Sequence, residues 1–95
     1  MAELIAADGS RRDVAPADRV RGFTLEELYA LLNCQTVEAI ALAEGDWLIM
    51  DEDAKGRTPR LAENPVATKL LHQAGGIPWD VVLGPVMVCS RKEFQ

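Results

Sequence analysis

One histidine and two cysteines are all that this chain offers to thiol, imidazole or soft-metal chemistry. His72, Cys34 and Cys89 have no close spacing, so they do not make a structural zinc site. His72 is expected opposite the apolar stripe of a helix, as an exposed surface imidazole with no nucleophile beside it to activate. A thiol triad of a cysteine, His72 and an aspartate would need an accessible, electropositive thiolate, whereas Cys34 and Cys89 each end an apolar segment. Both are expected as buried or half-buried reduced thiols without a disulfide. Gly22 and the pair Gly75-Gly76 are isolated from any strand-loop-helix phosphate cradle and read as punctuation. Asp51-x-Asp53-x-Lys55-Gly56 carries the glycine of a calcium loop, but its fifth position is a lysine and the twelfth, Ala62, cannot be the bidentate glutamate. No apolar run approaches the roughly 20 residues that span a bilayer, and Glu3 and Asp8-Gly9-Ser10 break any signal-peptide layout near the start. The expectation is a cytoplasmic protein with no membrane partner, no cofactor, no metal and no catalytic residue; it is not read as an enzyme.

Basic charge is also scarce. Lysine and arginine number 10 against 15 acids, a net charge of −5. Residues 36–63 hold Glu38, Glu44, Asp46, Asp51, Glu52, Asp53 and Glu63 against Lys55, Arg57 and Arg60, and the tail from residue 64 is slightly basic. Nucleic-acid binding is driven by cationic side chains displacing counterions, so an acidic chain with a pI near 4.7 is not expected to bind DNA or RNA directly. The pairs Arg11-Arg12 and Arg19/Arg21 are too small a patch to change that.

What is present is a well-punctuated alternation of periods 2 and 3.6. Ninety-five residues with 48% hydrophobic content make one small globular domain over residues 1–95. Asp8-Gly9 between Leu4–Ala7 and Ser10–Ala15 predicts an opening hairpin with a tight primed turn. Thr24, with Glu27 three residues on, is a capping box, and Phe23 can staple onto Leu28. Leu25, Leu28, Leu31 and Leu32 give that helix one apolar stripe, ended by Asn33 as a left-handed cap. Val37–Ala43 alternates, placing Ile40 and Leu42 on one face and Val37, Ala39, Ala41 and Ala43 on the other. Glu44-Gly45-Asp46 turns the chain into Trp47–Met50, apolar on both sides and so a strand away from a solvated edge. After the charged turn at 51–57, Asn64 caps and Pro65 opens a second helix striped by Val66, Ala67, Leu70, Leu71 and Ala74 and stopped by Gly75-Gly76. A last strand over 80–89 contains Gly84-Pro85, which predicts a bulge or an edge position there. The order is ββαββαβ, an α+β fold with a mostly antiparallel sheet and two helices.

The order of these pieces resembles a known family. An Asp-Gly hairpin, Phe23-Thr-Leu-Glu-Glu-Leu28 opening a helix, Val37-Glu-Ala-Ile40, an acidic turn of the Asp51-Glu-Asp-x-Lys-Gly56 kind, Glu63-Asn-Pro-Val-Ala-Thr68 and Gly84-Pro-Val-Met-Val88 together look like a family of small bacterial, phage and plasmid proteins catalogued as a domain of unknown function. The resemblance covers nearly the whole chain. It implies an accessory protein of a mobile element and brings no catalytic residues with it. The helix exit at Asn33-Cys34-Gln35 departs from the glycine expected in relatives.

Three functional readings follow. The first is a non-catalytic protein-interaction module, docking a protein partner or a second copy through the small face of Ala39, Ala41 and Ala43, with Asp46, Asp51, Glu52 and Asp53 at the hairpin ends steering the encounter. The second is a small-ligand binder with Trp47 or Trp79 lining a shallow pocket. The third is an acidic nucleic-acid mimic that inhibits a host DNA-binding protein, although three basic residues among seven acids dilute the array.

Overall fold

The computed structural model describes residues 2–42 and 45–94. Five strands and two helices occur in the order β1 (Ala2–Ile5), β2 (Arg11–Val14), α1 (Leu25–Leu32), β3 (Val37–Ala41), β4 (Asp46–Asp51), α2 (Pro65–Gln73) and β5 (Val86–Ser90). They form one antiparallel sheet in the spatial order β2-β1-β5-β4-β3, so β5 is central and β2 and β3 are the two edges. The α+β class and element order are those expected from the sequence.

The two helices lie on opposite faces of this sheet. Leu28 and Leu32 of α1 share a core with Ile49, Met87 and Cys89. Ala67 and Leu71 of α2 share another with Ile5, Leu48 and Val86. Ile49 and Leu48, like Met87 and Val86, are consecutive residues and therefore point to opposite sides of a pleated strand. The apolar runs Trp47-Leu-Ile-Met50 and Val86-Met-Val-Cys89 are the sequence counterpart: a strand covered on both faces is apolar at every position.

The helix starts follow the chemistry of their caps. Thr24 accepts from the Glu27 amide at 3.1 Å while the Glu27 carboxylate takes the Thr24 amide at 2.9 Å, and its other oxygen accepts from the Ala17 amide at 3.0 Å. Phe23 and Leu28 are buried in the same cluster, as a staple requires, and Asn33 closes α1 at φ +52°. Leu25, expected in the stripe, is 48% exposed. Asn64 does more than cap α2. It is fully buried, its Oδ1 accepts from the Ala67 amide at 3.1 Å, and its Nδ2 donates to the carbonyls of Ile5 (3.1 Å) and Gly84 (2.9 Å). One side chain therefore ties α2 to β1 and to the approach of β5.

Two local expectations are corrected. The opening hairpin has no two-residue primed turn: the Gly9 amide bonds the Ala6 carbonyl, the Ala6 amide bonds the Ser10 carbonyl, and only Gly9 (φ +91°) is left-handed. This is the three-residue loop in which a type I turn is followed by a left-handed glycine. The last strand starts at Val86, so Gly84-Pro85 precede it and neither bulge it nor push it to an edge. Residues 81–85 instead form a connecting loop, bridged to Glu63 at Leu83. Gly22 is required for close approach, because a Cβ there would lie 2.2 Å from the Glu93 carbonyl oxygen, which accepts from the adjacent Phe23 amide.

Candidate functional site

The described part of the small-residue face lies on the edge strand β3. In the β3–β4 ladder Ala39 stands opposite Ile49 and Ala41 opposite Trp47. Ala43 lies outside the described residues. Ala39 and Ala41 are exposed on the α1 side of the sheet, and Ile40 on the α2 side is half-buried with the second core. Because the helices occupy both faces, the alanines are uncovered by their position at the margin of the sheet rather than by a helix-free face.

The hydrogen-bond phase of this ladder decides what the edge presents. The Leu42 amide bonds the Asp46 carbonyl at 2.8 Å and the Glu52 amide bonds the Thr36 carbonyl at 3.2 Å. With the register fixed, Thr36, Glu38, Ile40 and Leu42 direct their main-chain groups at β4, and Val37, Ala39 and Ala41 direct theirs outward. Among the described residues nothing bonds those outward N–H and C=O groups. The opposite edge is different: three of the four residues of β2 are charged, and Arg11 pairs with Glu3 at 2.9 Å. Charged side chains are the usual defence of a sheet edge against another strand, and β3 has only Glu38.

The acids named with the alanines divide. Glu52 and Asp53 are exposed at the end of the β3–β4 pair, and Asp46 is half-buried at the other end. Asp51 is not a solvated steering charge. It is 6% exposed, its carboxylate receives Arg57 Nε at 2.7 Å and the Asp53 amide at 2.9 Å, and Arg57 in turn donates to the Asn33 carbonyl at 3.2 Å. The alternation that puts Asp51 on the α1 face with Ile49 and Trp47 makes it a core-side residue, and its partner lies six positions on. Asp53, although exposed, accepts from the Thr36 hydroxyl at 3.0 Å.

His72 is also corrected. It is half-buried, and its Nε2 lies 2.8 Å from the Asp80 carbonyl oxygen, so it pins a loop instead of standing free on the surface. The same loop is held by the Lys55–Asp80 ion pair and by the Thr68 hydroxyl accepting from the Val82 amide at 2.9 Å. Lys55 holds the Asp80 carboxyl below its ordinary value chiefly through that hydrogen bond. Just before it, Trp79 projects 84% exposed.

Cys34 and Cys89 are free and buried. Burial pushes both thiols up, Cys89 to about 12, which suppresses the thiolate that nucleophilic chemistry would need. Among the described residues no three of His, Cys, Asp and Glu come together as a metal site. Among the described residues no helix is long and apolar enough to cross a membrane.

Two concavities border the hairpin of β3 and β4. The larger, about 810 Å³ and open, is lined by Asn33, Glu52, Asp53, Lys55 and Arg57, of which Asp53 is engaged by the Thr36 hydroxyl, Lys55 by Asp80, and Arg57 by Asp51 and the Asn33 carbonyl. The smaller, about 280 Å³, lies between β3, α2 and the loop at 80–83, with Ile40, Met50, Leu71 and Val82 as apolar walls. Neither tryptophan lines them: Trp47 packs under Arg91, 5.1 Å above its ring, and donates Nε1–H to the Phe94 carbonyl at 3.1 Å. The sequence marked the alanines and missed the pocket, because its walls come from four segments whose proximity depends on which face α2 covers. Compared with known proteins, the chain matches no family model, no curated protein and no solved structure.

Proposed function

We propose that the protein is a non-catalytic interaction module that docks a partner protein by strand addition at β3. The observation that carries this reading is the undefended edge: three outward main-chain pairs at Val37, Ala39 and Ala41, flanked by small exposed side chains that let another backbone approach. Glu52 and Asp53 beside one end of the strand and Asp46 at the other supply a negative field that steers a basic partner. An accessory role for a mobile element rests on the motif order that resembles the phage and plasmid family. The ligand-binding reading is weaker, since the tryptophans meant to serve it do not line the cavities at the hairpin.

The test is capture of a partner from host lysate by the native protein, Ala41→Arg and Ala39→Pro, at low and high salt. A partner held by the native chain, weakened by salt and lost with both folded variants supports the reading. Retention of the same partner by both variants contradicts it.

A further inference from the structure

We infer that the cavity between β3 and α2 is a side-chain pocket of this edge, and that together they take an extended, basic peptide segment with apolar residues at alternate positions. This deepens the strand-addition reading and depends on it.

A strand laid along β3 pairs its main chain with Val37, Ala39 and Ala41, and its own side chains then alternate between the two faces. On the α1 face they pass over Ala39 and Ala41, which offer room but little apolar surface. On the α2 face they meet Ile40, and beyond it the cavity walled by Met50, Leu71 and Val82. Ile40 and Met50 are half-buried, so this cavity communicates with the margin of the sheet instead of being sealed in the core. Its volume of about 280 Å³ lies below the roughly 300–1,000 Å³ of small-molecule sites, a size suited to one or two inserted side chains. Alternate residues of the incoming strand are therefore selected for apolar character, and the intervening ones are not.

Charge selects the occupant. The rim carries Glu38 and Glu52, while Lys55 is committed to Asp80. A second copy of this chain would set the acidic end of one β3, with Glu52 and Asp53, against Asp46 of the other in antiparallel pairing, like charge on like. A basic segment meets opposite charge at both ends. The Lys55–Asp80 pair and the bonds from His72 and Val82 fix the loop that forms the outer wall, so the pocket exists before the ligand arrives.

The test uses fluorescence anisotropy with synthetic peptides of about ten residues, built as alternating leucine and threonine between lysine pairs. One control replaces lysine by glutamate and another replaces leucine by serine. The expected result is binding of the lysine–leucine peptide at least about tenfold tighter than either control, weakened about tenfold by Val81→Phe, which fills the pocket mouth, and by Glu38→Lys. Both substituted residues are exposed or half-buried, and unchanged denaturant midpoints certify the fold. If Ala39→Pro abolishes binding while Val81→Phe leaves it intact, the edge stands and the pocket is wrong. If binding survives Ala39→Pro, strand addition itself is wrong. Equal binding of all three peptides, no binding of any, or concentration-dependent dimerisation in sedimentation overturns the assignment of the occupant.

Discussion

Ala39 and Ile49 face each other across the same rung of the sheet, yet Ile49 is completely buried and Ala39 is exposed. One strand separates the interior of this protein from its open edge. The contrast makes β3 sensitive to substitution in a way that depends on parity. Ala39→Pro removes an N–H that points to solvent and is expected to cost about 1 kcal/mol or less, whereas Ile40→Pro removes a bond to β4 and is expected to cost about 3 kcal/mol or more. Urea titration of the two variants checks the phase of the ladder; equal costs would mean that the register is wrong.

The two helix caps are unequal. Thr24→Ala is expected to lose about 1 kcal/mol, the ordinary worth of a capping side chain. Asn64→Ala also removes the bonds its amide gives to the buried carbonyls of Ile5 and Gly84, so its loss should exceed that of Thr24→Ala by at least about 1 kcal/mol. Denaturant midpoints at matched slope measure both.

The thiols should be silent in the native state. Raised above their ordinary values by burial, Cys34 and Cys89 stay protonated at pH 8, and a thiol reagent is expected to react at the rate of unfolding or opening rather than of a free cysteine. Stopped-flow labelling with and without denaturant checks this. Fast native labelling of Cys89 would show that its strand is not central.

The Lys55–Asp80 clasp predicts a specific acid response. The Asp80 carboxyl is depressed in the folded state, so the stability it contributes is fully present above the ordinary carboxylate value and is lost as pH falls through the lower folded value. Lys55→Ala should flatten the stability profile below about pH 4: its loss of stability, small for an exposed pair, is expected at neutral pH and should vanish in acid, where the two profiles converge. A Lys55→Ala profile parallel to the native one would mean that the pair does not form in solution.

Much of this architecture was legible because its signals are local. Thr24 with Glu27, Asn33, Asn64 with Pro65 and the alternation in β3 each specify backbone geometry within a few residues. What escaped depended on where α1 and α2 go. Asp51 reads as one more acid in a charged turn until the strand phase places it beside Arg57, and His72 reads as a surface residue until the 80–83 loop folds back onto it. The small face of β3 was visible in the alternation. Its exposure arises from edge position, a fact of strand order that periodicity does not carry. Gly84-Pro85 misled for the same reason: a proline bars a ladder bond but does not say whether the strand has already begun.

The open edge can be observed one amide at a time. In hydrogen exchange followed by NMR, the amides of Glu38 and Ile40 should be protected in the free protein while those of Val37, Ala39 and Ala41 exchange freely, since only the first pair bonds β4. On saturation with the lysine–leucine peptide, the odd-numbered amides should become protected and the even-numbered ones change little. Bound peptide with Val37, Ala39 and Ala41 still exchanging freely would contradict strand addition at β3.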